Sequence, residues 1–353
     1  MQTWGQGETL GTIMSAIGSV FPTPLNLPID AIDNSLWQGW TAGWRHVSSY
    51  SSARAALAAL LRFKGIQRIW LPDFCCTALV EAAGHVEMGW YETTLELDVS
   101  WPILAQALRP GDAVLAIDYF GRAPRSGFLD LVRAQRDVLW IEDRAHALNP
   151  GLPAWGDIVL YSPRKFLGVG DGGVMVSQSP LPDPSPTPTA PLPIAQSQRQ
   201  LDPEGLRPDR WFPAFRTQEA AFCVDDGRMS DLTKNFLQRA DANAISARRQ
   251  ANGRVLAAAL QDLALWPTDP IDYAPLAFPI CVADRDGLAQ ALAEQRIYCA
   301  KHWTDLPNDP ALFPVAHSLS AHILSLPCDQ RYDERDMDRI VTAIRALHAK
   351  GAR

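Results

Sequence analysis

Lysine is scarce in this chain: Lys64, Lys165, Lys234, Lys301 and Lys350 are the whole complement among 353 residues. The search for a reactive amine is therefore short. Cysteine is also sparse and unpatterned. Cys75, Cys76, Cys223, Cys281, Cys299 and Cys328 form no CxxC pair and no zinc-type Cys/His spacing, which excludes a metal knuckle and a disulfide framework and predicts free thiols in a reducing compartment. No Lys or Arg precedes Arg45, so the fairly apolar stretch 11–21 lacks the positive flank of a signal peptide, and it is too short to span a bilayer. A cytoplasmic location is expected. Positive charge is in deficit, with a formal net charge of -7 and a pI near 5.5, so neither nucleic acid nor an anionic membrane is the expected partner. A small molecule is.

What is present is ordinary globular material, 47% hydrophobic and 20% charged with a mean hydropathy of -0.09. The length predicts a large domain and a smaller one. Residues 1–51, with Pro22, Pro24 and Pro28 and no clean periodicity, read as an irregular arm. From Ser52 the pattern changes to a helix over 52–63, opened by a serine cluster and closed at Gly65. Apolar runs at 69–71, 113–117, 138–141 and 158–161 then alternate with helical segments near 76–83, 102–108 and 126–136. Continuous apolar strands separated by amphipathic helices imply an α/β fold, a mostly parallel sheet covered on both faces. Residues 180–193 carry seven prolines and read as a surface loop. Helical patterns at 216–222, 230–262, 285–295 and 334–348, with one apolar run at 276–282, suggest a smaller α+β unit. The expected division is an arm 1–51, a large domain 52–240 and a small domain 241–353.

In parallel sheets ligands collect beyond the carboxyl ends of the strands. Lys165 stands there, just after the run 158–161, in Ser-Pro-Arg-Lys-Phe-Leu-Gly-Val-Gly-Asp-Gly-Gly. The other lysines fall in helices, a polar stretch or the tail. The glycines after Lys165 would let backbone approach a ligand closely. Such an amine fits a Schiff base with pyridoxal 5′-phosphate (PLP), provided it can become neutral; Arg164 beside it is a weak candidate activator. Asp143 ends the run 138–141 and is the candidate carboxylate for a protonated pyridine nitrogen, the alternative being a helix cap. His146, three residues on, could reach the ring hydroxyl or be structural. Ser51 to Arg54, opening a helix, offers hydroxyls and amides for a phosphate, or merely a cap.

Taken in order, these segments resemble the DegT/StrS sugar-aminotransferase family of fold-type-I PLP enzymes. The resemblance rests on Ser52-Ala53-Arg54-Ala55-Ala56-Leu57, Pro72 to Ala78, Asp118-Tyr119-Phe120-Gly121, Ile141 to Ala147 and the Lys165 segment with Gly170-Asp171-Gly172-Gly173. Further on, Arg228-Met229-Ser230-Asp231, Arg248-Arg249-x-x-Asn252, Trp303 and Leu326-Pro327 extend it over most of the chain after residue 45. It implies that Lys165 carries the cofactor, Asp143 meets its ring nitrogen, His146 its ring oxygen, Cys76 its face, and Ser52, Ala53 and Arg54 its phosphate. It also implies a homodimer acting on an amino donor and a keto sugar nucleotide. The chain departs from the family at Cys76, where an aromatic ring often stacks; at Leu160, where a phosphate-binding Ser often lies; and at Asp226, where a partner's Asn is usual. Trp303, His302 and Tyr298 could face substrate. Two other readings stay open: another PLP-dependent enzyme, a lyase or non-sugar transaminase, and a binding protein that has lost efficient catalysis.

Overall fold

The computed structural model describes residues 14–148, 153–189, 192–267 and 270–351. Its strands are β1 (Ile17–Gly18), β2 (His46–Tyr50), β3 (Arg68–Pro72), β4 (Glu87–Tyr91), β5 (Ala113–Ile117), β6 (Leu139–Asp143), β7 (Ile158–Tyr161), β8 (Gly173–Ser177), β9 (Ser185–Pro188), β10 (Gly227–Arg228), β11 (Phe278–Cys281), β12 (Ile297–Tyr298) and β13 (Ile323–Leu326). Its helices are α1 (Leu36–Thr41), α2 (Ala53–Lys64), α3 (Thr77–Ala83), α4 (Trp101–Ala107), α5 (Ser126–Ala134), α6 (Ile194–Gln200), α7 (Pro208–Ala220), α8 (Asp231–Leu237), α9 (Ala242–Ala259), α10 (Arg285–Glu294), α11 (Pro314–His322) and α12 (Glu334–Gly351).

Nine strands form one sheet in the order β4-β3-β5-β6-β7-β8-β2-β10-β9. The five from β4 to β7 run parallel, and β8 reverses against both β7 and β2. Every residue of β5, β7 and β8 is buried, as expected of strands sandwiched between helical layers. The parallel register sets Ile117 beside Asp143 and Asp143 beside Leu160, so three strand ends open on one edge. On one face α2 packs seven buried Ala and Leu residues into the core. Ser52 caps α2 by accepting from Ala55 N at 3.1 Å, and Gly65 closes it in the left-handed conformation that glycine adopts without strain.

Three sequence readings are corrected. The arm is not irregular throughout: residues 36–50 fold as α1 and β2, and Ile17–Gly18 pairs with β12. Its serine-rich strand hid the pattern. The proline-rich stretch contributes β9, an edge strand, where a residue lacking an N–H breaks no interior ladder; Ala190 and Pro191 lie outside the described residues. The helical pattern 230–262 is two helices, because Asp241 accepts from Ala244 N and starts α9 afresh.

A second core gathers α9, β11, α10, β13 and α12, with Ile17 of the arm inserted. On that basis we propose a division at 240/241. Asn252 of α9 ties this region together, its Nδ2 donating to the carbonyls of Cys328, Asp329 and Tyr332 at 3.3, 3.1 and 3.0 Å. Replacing Asn252 with Ala strands buried carbonyls, and a loss of roughly 2–4 kcal/mol in urea unfolding is expected.

Candidate active site

Lys165 ends a single 3-10 turn, Pro163–Lys165, directly beyond β7. The following loop is held from two sides. A Cβ on Gly173 would lie 2.2 Å from the Ser52 carbonyl carbon, and one on Gly168 would lie 1.9 Å from the Pro22 oxygen. Neither position admits a side chain, so the start of α2 and the arm are pinned against the lysine loop. Gly172 N donates to Ser51 O at 2.7 Å, closing the same junction. From behind, Gln330 Nε2 donates to Phe166 O at 2.5 Å, and the buried Arg249 guanidinium lies 5.0 Å from the Phe166 ring centroid.

The charge of Lys165 acts on Asp143, His146, Cys76 and His302, which places these four around its amine. Asp143 Oδ1 accepts from Ala145 N at 2.8 Å, while Oδ2 has no donor among the described residues. Burial raises this carboxyl to about 6, against the opposing pull of the Ala145 amide and Lys165. His146 is held well below its usual value by burial, then by His302 and Lys165, and is neutral at pH 7. Its Nδ1 is buried without a hydrogen-bond partner. Burial and Lys165 likewise bring His302 down to about 3. Burial pushes the Cys76 thiol up, so it is no nucleophile at neutral pH.

Aromatic rings enclose this group. Trp303 stacks on His146 with centroids 5.4 Å apart and 24° between planes, and also meets Phe74 at 5.3 Å. His302 crosses His146 at 5.2 Å and is fixed by Ser325, 2.8 Å from its Nδ1. Thus His302 and Trp303, from the far part of the chain, join the predicted residues. Tyr298 lines the adjoining cleft, as does His302. That cleft, about 950 Å³, runs from Lys165 past Phe21, Trp211, Phe212, Ala289 and Lys301.

At the start of α2 the picture is mixed. The amides of Ala53 and Arg54 have no acceptor within the helix, as first-turn amides never do, and Ser52 Oγ keeps its proton free while accepting from Ala55. Ser51 Oγ, however, donates to Asp225 Oδ1 at 2.7 Å, and the Arg54 side chain is held by Glu81 and by the Phe222 carbonyl. Asp226, next in sequence, accepts from Ser185 N through its backbone carbonyl. Leu160 is a core residue and offers nothing to a ligand.

A buried network missed by the sequence reading lies just behind Asp143. Glu142 Oε1 accepts from Arg144 Nε at 2.5 Å, and Glu142 Oε2 accepts from the amides of Trp155 and Gly156. Asp118, fully buried at the end of β5, stands 3.6 Å from Arg144, and burial beside Glu142 drives its carboxyl well above the usual range. The signal was present: three charged residues at the ends of two apolar strands.

The unpartnered His146 nitrogen, the open Asp143 oxygen and the positive start of α2 are what a pyridine ring with a hydroxyl, a protonated nitrogen and a phosphate would require. PLP fits the residues present. Among solved structures, similarity extends to an aminotransferase from Brucella abortus (22% identity over 87% of each chain, TM-score 0.64). It extends also to DesV of S. venezuelae, solved with a ketimine intermediate (19%, 86% of this chain and 85% of that, 0.65). The PLP form of Spr1654 from Streptococcus pneumoniae, described as a sugar aminotransferase, matches at 15% over 97% and 94% with a TM-score of 0.68. At these identities the likeness establishes the fold. No curated protein matches by sequence. The family model for DegT/DnrJ/EryC1/StrS aminotransferases matches residues 41–345, and the chain belongs to that family of PLP-dependent transferases.

Proposed function

We propose that this protein is an aminotransferase in which Lys165 holds PLP and an amino group passes from an amino-acid donor, glutamate foremost, to a keto group on a nucleotide-activated sugar. The observation that carries this reading is the meeting, around one amine, of an open carboxylate oxygen and an unpartnered buried imidazole nitrogen. When bound, PLP supplies an electron sink that eases loss of the donor's α-proton.

The chain's own residues divide the remaining work. Asp143 Oδ2 would accept a hydrogen bond from a protonated ring nitrogen and favour its charged form. A cation there returns the carboxyl to its ionised form, which burial alone disfavours. His146, neutral and clamped between Trp303 and His302, would orient the ring through its oxygen substituent. Ser52 Oγ and the amides of Ala53 and Arg54 would hold the phosphate at the positive end of α2. Cys76, at the start of α3, would meet the face of the ring. Lys165 Nζ, as a free amine, would be the base that takes the proton from the donor's Cα and the acid that gives it back. Trp303 and Phe74 keep water from that transfer.

A cytoplasmic homodimer is part of the same proposal; among the described residues no helix is long and apolar enough to cross a membrane. The test is product analysis of purified, PLP-loaded protein with glutamate and a panel of keto sugar nucleotides. Formation of 2-oxoglutarate with an aminated sugar is expected. Formation of 2-oxoglutarate only with non-sugar ketones would move the acceptor to another class. Cofactor binding without any donor reaction would favour the binding-protein reading, which the engagement of Ser51 by Asp225 and of Arg54 by Glu81 motivates.

A further inference from the structure

Three cations line the cleft beside Lys165: Arg164, Lys301 and Arg331. Each already has an acid, and the three pairs differ in how readily that acid could be exchanged. Arg331 is joined through Nε and Nη2 to Asp329 at 2.8 and 2.9 Å, reaches the carbonyls of Val20 and Ser19, and lies 4.0 Å from the Phe21 ring centroid. Asp329 is buried, so displacing it would strand a charge. This pair belongs to the scaffold. Lys301 meets Asp286 at 2.7 Å, but Asp286 also holds Arg285 at 2.9 Å, so its carboxylate is shared between two cations.

Arg164 is different. Its Nη1 and Nη2 grip Glu219 of α7 at 2.5 and 3.3 Å, and its guanidinium lies 4.0 Å from the Phe222 ring centroid, which fixes the plane of the fork. The arginine side chain is 19% exposed and the glutamate 40%. Glu219 can therefore swing out into water at little cost, leaving behind an oriented two-pronged donor next to Lys165. An incoming carboxylate would replace one carboxylate by another, with no unpaired buried charge at any stage.

We propose that Arg164 is the receptor for a carboxylate of the amino donor, and that Glu219 is its intramolecular placeholder in the free enzyme. The proposal rests on the aminotransferase reading, because an amino-acid donor brings the carboxylate that the fork fits. It makes Arg164 a specificity-determining residue: a donor without a carboxylate cannot displace Glu219.

The test uses PLP-loaded protein and two readouts, calorimetric binding of succinate, which cannot react, and the steady-state KM for glutamate. Glu219→Gln removes the competing charge, and succinate should bind about tenfold more tightly, with KM for glutamate falling in parallel and kcat within a factor of about three. Arg164→Gln should weaken succinate at least about tenfold, and Arg164→Lys, which keeps charge but loses the fork, should fall between. Succinate affinities and KM unchanged in both Glu219→Gln and Arg164→Lys would overturn the proposal and make the pair a structural clasp, even if the enzyme turns glutamate over. Succinate affinities in the predicted order, with no 2-oxoglutarate from glutamate, would uphold the anion receptor while removing the aminotransferase reading.

Discussion

Lys165→Ala is expected to abolish amino transfer, with a fall of at least about 10⁴-fold, because on the proposed reading the one side chain both anchors the cofactor and moves the proton. The variant should fold, since Lys165 is half-buried and has no ion pair among the described residues. Lys165→Arg should be as inactive, because a guanidinium does not surrender its proton near neutral pH and cannot act as the free amine. None of the described lysines can substitute. Lys234 lies over the Trp37 ring at 4.8 Å, and Lys301 is tied to Asp286. Single-turnover kinetics with glutamate would check this, and full activity in Lys165→Ala would contradict it.

The second large effect belongs to Asp143→Asn, and it runs in opposite directions for stability and activity. In the cofactor-free protein burial outweighs the pull of the Ala145 amide and Lys165 and raises the folded carboxyl from 3.8 to about 6, so the folded chain binds the extra proton between those values. A folded pKa raised in this way means stability is lost as pH rises through that window, by up to about 3 kcal/mol once the group is ionised. The cofactor-free Asn variant escapes that cost, while its amide oxygen can still accept from Ala145 N. Thermal unfolding of cofactor-free protein should show the variant above the parent at pH 8, with the gap closing as pH falls towards 5. Destabilisation by the neutral His146 at low pH is common to both proteins and cancels. Turnover of the loaded variant should drop roughly 10²–10³-fold, because the hydrogen bond that keeps the ring nitrogen protonated is lost. A parent more stable than the variant at pH 8 would show that Asp143 already has a partner.

What could be read from the sequence follows from how local each signal was. β5 and β7 are uninterrupted apolar runs after Gly111-Asp112 and Gly156-Asp157, and both were predicted at the bounds found. β4 escaped because Glu87 and Gly89 break its apolar pattern; Gly89 is there because a Cβ would come within 2.7 Å of the Trp70 indole. β8 was hidden behind the glycines that open it, and β2 behind its serines. Lys165, Asp143 and His146 could be proposed from sequence because they stand at or just beyond the ends of apolar strands, where parallel sheets expose their chemistry. The sequence reading suggested His302 and Trp303 only as residues that could face substrate; their stacking around His146 depends on a chain return of more than 150 residues. The Arg164–Glu219 pair was invisible for the same reason. Its partners are 55 residues apart on a turn and a helix, and only the packing of α7 over the cleft joins them. The Ser51–Asp225 bond was not legible either, because its partners are 174 residues apart in the chain.

The central claim is that Lys165 is the cofactor-bearing amine. Protein purified with added PLP should be examined by visible absorption before and after borohydride reduction, and the reduced adduct located by peptide mass. The account predicts a band that bleaches on reduction, with the label on Lys165 and none on Lys64, Lys234, Lys301 or Lys350. A label on any other lysine, or no band and no adduct, would contradict it.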